Sequence, residues 1–146
     1  IIENDEEDNI EDNEVEYDYK KVVGIIEISK INLFYPVICE TNYEYLKISP
    51  TKFFGCGMNE IGNFCIVGHN NHNGVQFSRL DELENNDIVK LTDSHGSSMQ
   101  YKVYDKYIVE PTDLSCTSQL TNNNREVTLI TCTNNGKQRL IVKCRA

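Results

Sequence analysis

The chain has 146 residues, 39% hydrophobic and 25% charged, with 8 Gly and 3 Pro. That is the profile of one globular domain able to bury its own core, and it excludes fibrous and low-complexity classes. The formal charge of −9 is uneven, because the first 18 residues hold ten acids and no Lys or Arg, leaving 13 acids against 14 bases elsewhere. A near-neutral domain lacks the clustered basic surface that nucleic acid requires, and no apolar run approaches the ~20 residues that span a bilayer.

Residues 1–18 read as an acidic, disordered leader: like charges repel, and only Ile1, Ile2, Ile10 and Val15 offer apolar surface to bury. The carboxylates there lack the turn geometry of a calcium cage. The chain begins with Ile rather than Met, so a preceding segment is expected, and the folded domain is expected over 19–146. From Lys21 the period is two. Val22 to Ile28, Leu33 to Ile38, Phe64 to Val67, Asp87 to Leu91, Met99 to Val109, Glu126 to Thr131 and Arg139 to Arg145 read as strands. Asn, Gly, Asp and Ser cluster between them as turn formers. Two segments read as short helices: Tyr43 to Ile48, capped by Thr41 or Asn42, and Val75 to Leu83, where Phe77, Leu80 and Leu83 recur every third residue. The pattern predicts an all-β fold, a single closed or nearly closed β-barrel of about eight strands with short connecting helices, which leaves few sheet edges exposed.

Six cysteines (39, 56, 65, 116, 132, 144) and three histidines (69, 72, 95) show no Cys-x-x-Cys and no paired zinc-ligand spacing, so neither a metal site nor a cofactor is expected. Cys65 and Cys144 fall inside strand patterns and are expected in the core. His72 and His95 read as surface residues. Cys132 instead ends the run EVTLIT just before the turn TNNGKQ, after which Arg139 opens RLIVKCR. A hairpin with 132 opposite 139 sets Ile130 against Ile141 and Thr128 against Lys143 on one face. The other face then pairs Leu129 with Val142 and Val127 with Cys144, a uniformly apolar set suited to the core. Cys132 and Arg139 are therefore expected to point together away from the core, with Cβ atoms ~4.5–5.5 Å apart, where a guanidinium favours the nucleophilic thiolate. His69 follows the strand FCIVG, and imidazole is the usual acid/base partner of a catalytic Cys.

With these residues in view, the sequence resembles the sortases, cysteine transpeptidases of Gram-positive cell surfaces. TLITC at 128–132 matches the family's Thr-Leu-x-Thr-Cys signature, GH at 68–69 its histidine segment, and QRLIV at 138–142 its arginine-bearing strand. GIIEISKINLFYPVI at 24–38 resembles its opening strands and VEPTD at 109–113 the loop between its sixth and seventh strands. The similarity runs from about Val22 to Ala146.

The resemblance implies Cys132 as nucleophile, His69 as general acid, and Arg139 as the group that orients substrate and stabilises the oxyanion, with Arg145 a poorer-aligned alternative. It implies a Leu-Pro-x-Thr-Gly-like sorting signal as substrate and a peptidoglycan precursor or pilin amine as acceptor. Thr131, Ile130 and Ile141 are the expected substrate-binding residues, the two isoleucines because the register puts them on the face of Cys132 and Arg139. It further implies an N-terminal membrane anchor outside this sequence, residues 1–18 as a spacer, and action at the outer face of the membrane. The loop at 110–126 carries only Glu110, Asp113 and Glu126 as acids, so the calcium dependence of some members is not expected. A short turn at 133–138 and no long lid favour a class B or class D type. The competing readings are a thiol hydrolase on the same barrel and a non-catalytic peptide-binding barrel.

Overall fold

The computed structural model describes residues 21–71 and 73–146; the acidic leader and His72 lie outside the described residues. Eight strands are present: β1 (Val22–Ile28), β2 (Leu33–Ile38), β3 (Thr51–Phe54), β4 (Gly62–Val67), β5 (Ile88–Asp93), β6 (Ser98–Val109), β7 (Arg125–Thr133) and β8 (Gln138–Arg145). Among the described residues a helix, α1 (Tyr43–Ile48), joins β2 to β3, and short 3-10 turns occupy Ser29–Ile31, Leu80–Glu82 and Ser115–Thr117. The strands close into a barrel in the order β1-β2-β3-β4-β7-β8-β6-β5. Two neighbouring pairs, β2 with β3 and β4 with β7, run parallel and the others antiparallel.

The all-β closed barrel is as expected, and α1 begins where the sequence indicates, with the Asn42 side chain accepting the Tyr45 N–H at 2.8 Å. Two expectations need correction. β3 was not anticipated, because TKFF has only four residues and a register shift between Lys52 and Phe54 breaks its alternation. Val75 to Leu83 is not an α-helix: it is a run of turns ending in the Leu80–Glu82 3-10 turn. The three-residue spacing of Phe77, Leu80 and Leu83, all fully buried, is the repeat of tight 3-10 turns.

The hairpin register is the expected one, with Cys132 opposite Arg139, Ile130 opposite Ile141 and Leu129 opposite Val142. Val127, Leu129, Val142 and Cys144 face the interior with Ile66, Phe77 and Leu91. A second, smaller apolar cluster of Cys65, Cys116, Ile130 and Ile141 forms on the outer face of β4, β7 and β8, covered by the chain linking β6 to β7.

That covering segment is held by polar groups. The carbonyl of Cys116 accepts from Lys143 Nζ at 2.9 Å and from Asn63 Nδ2 at 2.8 Å. Gln119 brackets the backbone of Asn63, accepting its N–H at 2.9 Å and donating to its carbonyl at 2.8 Å. Polar Thr128 and Lys143 therefore interrupt the apolar outer face for a reason: Lys143 also donates to Thr128 Oγ1 at 2.8 Å, and that hydroxyl reaches Asn63 Oδ1 at 2.7 Å. All six cysteines are free thiols.

Candidate active site

The parallel pairing of β4 with β7 sets Val67 beside Ile130. Continuing that register by two residues brings His69 level with Cys132, on the outward face shared by Val67 and Ile130. Gly68 fixes this approach. Its N–H donates to the Ile130 carbonyl at 3.1 Å, and its own carbonyl accepts the Thr131 hydroxyl at 2.7 Å. Any Cβ at Gly68 would lie 2.8 Å from the Phe77 ring, which explains Gly before the histidine. The Asn70 side chain then donates to the Cys132 carbonyl at 2.9 Å.

Cys132, His69 and Arg139 are each half-buried at one barrel rim. A cavity of about 460 Å³ lies against His69, Asn70, Cys132, Asn135 and Gly136, a lining rich in amides and backbone. On the other side of the Cys132–Arg139 pair a cavity of about 210 Å³ is lined by Arg139, Ile130, Ile141, Leu114 and Phe53, and is mainly apolar. Arg139 Nη1 donates to the carbonyls of Gly136 and Gln138 at 3.0 and 3.1 Å, so the guanidinium braces the β7–β8 turn while lining the apolar cavity. In that turn Asn134, Asn135 and Gly136 all adopt positive φ, a conformation that Asn and Gly tolerate.

Ile130 and Ile141 pair across the hairpin and line the apolar cavity. Thr131 does not line it: it is buried, in phase with Leu129, and its hydroxyl is committed to Gly68. Successive residues of a strand face opposite sides, so the register that turns Cys132 outward turns Thr131 inward. Arg145 is at the far end of β8, paired with Glu126 at 3.2 Å and stacked 4.2 Å from the Tyr104 ring centroid, remote from the rim. Among the described residues no cluster of three or more His, Cys, Asp or Glu side chains is arranged to hold a metal ion.

Gln76 was not singled out in the sequence. It is buried at positive φ (49°) and ties three elements together. Its Oε1 accepts the His69 N–H at 3.1 Å, its Nε2 donates to the Leu46 carbonyl of α1 at 3.2 Å, and its own N–H donates to the Tyr35 hydroxyl at 3.1 Å. A polar residue beside Phe77 was the available signal, but the contacts span 41 residues of sequence and are not legible locally.

Burial pushes four thiols up: Cys65 to about 12, and Cys56, Cys116 and Cys144 also above the ordinary value, desolvation being the largest cause in each. These cysteines are poor nucleophiles at neutral pH.

An eight-stranded closed barrel with a cysteine, a histidine and an arginine at one rim, beside an apolar and a polar cavity, frames a thiol-bearing candidate site. The sortase-domain family model matches residues 26–146, and the chain belongs to the sortase family. Sortases are cysteine transpeptidases of the Gram-positive cell surface whose substrates carry sorting signals. The barrel is similar to the sortase D5 transpeptidase of Clostridium perfringens, with 28% identity and a TM-score of 0.75 over 85% of this chain and 78% of that one. It is also similar to sortase C-1 of Actinomyces oris, with 24% identity and a TM-score of 0.77 over 86% and 73%. A lid mutant of sortase A from Corynebacterium diphtheriae shares 24% identity, with a TM-score of 0.75 over 85% and 69%. No curated protein sequence matches the chain. Among the described residues no helix is long and apolar enough to cross a membrane.

Proposed function

We propose that this chain cleaves a Leu-Pro-x-Thr-Gly-like sorting signal through a thioester on Cys132 and transfers the acyl group to a cell-wall or pilin amine. The observation that carries this reading is the convergence of β4, β7 and β8, which brings His69, Cys132 and Arg139 to one rim from positions 70 residues apart in sequence. The Leu-Pro side of the signal suits the apolar cavity over Ile130 and Ile141. The Gly side, and later the amine, suits the amide-lined cavity beside His69 and Asn70.

In this mechanism the Cys132 thiolate attacks the Thr carbonyl carbon, and the Arg139 guanidinium donates to the oxygen that becomes negative. Protonated His69 gives its proton to the Gly nitrogen as the C–N bond breaks, leaving a thioester and a free Gly amine. The acceptor amine then attacks the thioester, loses a proton to His69, and expels Cys132 as thiolate. Both proton and nucleophile are restored. The 28% identity to a sortase D5 and the short β7–β8 turn support a class D or class B type.

We further propose residues 1–18 as a spacer between a membrane anchor and the catalytic domain of 19–146, which acts at the outer face of the membrane. Intact-mass analysis after incubation with a panel of sorting peptides tests the reading: a mass increase on Cys132, discharged faster when an amine is supplied, supports transpeptidation. Discharge at the same rate with water alone supports the hydrolase, and no adduct with any peptide supports the non-catalytic barrel.

A further inference from the structure

A cavity distinct from the one at Cys132 has a volume of about 730 Å³ and lies over β3, lined by Cys39, Phe53, Phe54, Gly55, Cys56 and Gln119 together with the oppositely charged Glu40 and Lys52. Two features join it to the apolar cavity beside Arg139. Phe53 lines both. The β6–β7 segment walls both as well, with Leu114 and Cys116 on one and Gln119 on the other. The register shift between Lys52 and Phe54 leaves both phenylalanines exposed, at 41% and 52%, although neighbours on a regular strand would face opposite sides.

Distance along the barrel decides what would occupy this space. Phe54 pairs with Cys65 and Lys52 with Ile66, so Phe53 stands at the level of Cys65, which is level with Thr128 on β7. Thr128 precedes Cys132 by four residues, about 13 Å along a strand at ~3.3 Å per residue. An extended Leu-Pro-x-Thr stretch covers about that distance. With the Thr carbonyl at Cys132 and the chain running parallel to β7, its Leu reaches Phe53, and the residues before that Leu pass over the ring into the cavity beyond. The acceptor amine has no such claim, since it must arrive at Cys132 from the amide-lined side.

Resting on the transpeptidase reading above, we propose that the cavity over β3 is an upstream subsite, which binds the two or three residues preceding the sorting motif and prefers neutral aromatic or aliphatic side chains. The preference follows from the two phenylalanines and two half-buried cysteines on its walls, and from Glu40 and Lys52 offsetting each other in charge.

The test compares kcat/KM for cleavage of a motif-only Leu-Pro-x-Thr-Gly peptide with that for the same peptide preceded by Phe-Ile or by Gly-Gly. The expected result is a gain of about tenfold for the Phe-Ile extension, the scale of burying one apolar side chain, and little for Gly-Gly. Phe54→Ala, which changes an exposed side chain outside the Arg139 cavity, should erase that gain while leaving the motif-only peptide unaffected. Equal rates for all three peptides in the unaltered protein, or an undiminished Phe-Ile gain in Phe54→Ala, would overturn the subsite and leave the transpeptidase reading standing. No cleavage of any peptide would overturn both.

Discussion

The Thr131 hydroxyl donates to the Gly68 carbonyl at 2.7 Å, and this bond ties the strand end before His69 to the strand end before Cys132. Thr131→Val keeps the shape and removes the donor, leaving a buried carbonyl without it; the cost should be about 1–3 kcal/mol. Activity should fall further than stability alone explains, because the spacing of His69 and Cys132 is released. Thr131→Ser restores the donor and should recover most of both. Chemical denaturation and peptide cleavage, measured on the same preparations, check this; wild-type behaviour of the Val variant would refute it.

Gln76 makes a parallel prediction. Its bond to His69 is to the backbone N–H, so Gln76→Ala should lower kcat by roughly tenfold or more while KM changes little, as expected for misplacement of a proton donor rather than loss of substrate contacts. Gln76→Glu keeps the acceptor for the His69 N–H but loses the donor to Leu46. It should fall between the two. A purely structural role would lower thermal stability without moving kcat at temperatures where the variant is folded.

The thiols can be ranked by reactivity. Desolvation raises Cys65, Cys116 and Cys144 above their ordinary titration range, so at pH 7–8 they remain neutral and should resist alkylation in the native protein, while half-buried Cys132 at the rim is labelled. Cys132→Ala should abolish both peptide cleavage and adduct formation at the rim with an unchanged circular dichroism spectrum. Rapid modification of Cys65 or Cys144, read by peptide mapping, would mean that the barrel opens readily.

How far this site was legible from sequence depended on range. The β7–β8 hairpin was readable because its two apolar parities differ: Val127, Leu129, Val142 and Cys144 admit only one inward face, and that fixes Cys132 outward against Arg139. The same parity already turned Thr131 inward, so its assignment to substrate conflicted with the register. β3 escaped because four residues with a bulge carry no alternation. The role of Gln76 escaped because Tyr35, Leu46 and His69 meet it only after the barrel closes. Local periodicity determines faces; it does not report which loop carbonyl a buried amide will reach.

Residues 1–18 offer a check on the spacer proposal. Their composition gives little apolar surface to offset the entropy of ordering. Their deletion should leave the melting temperature and cleavage of a soluble peptide essentially unchanged. A marked loss of either would show that the acidic segment contributes to the domain.

Arg139 separates two roles that one side chain can fill. Its Nη1 already donates to the Gly136 and Gln138 carbonyls, which braces the turn, and its position opposite Cys132 offers the remaining donors to a substrate oxygen. If turn bracing were all, Arg139→Lys would lose part of the brace and a little stability, with a modest effect on rate. If the fork stabilises the oxyanion, a point-charge ammonium cannot reproduce its planar set of donors, and both Arg139→Lys and Arg139→Ala should lose about 10²–10³ in kcat, the scale of one oxyanion donor. Cys132 should stay alkylatable in both, since the thiol itself is intact. Arg145→Ala, by contrast, removes the partner of Glu126 and the cation over Tyr104 at the far end of β8, and should affect stability rather than turnover. Near-normal turnover of Arg139→Lys would assign the oxyanion to another donor, and a large kcat loss in a fully folded Arg145→Ala would contradict the rim geometry itself.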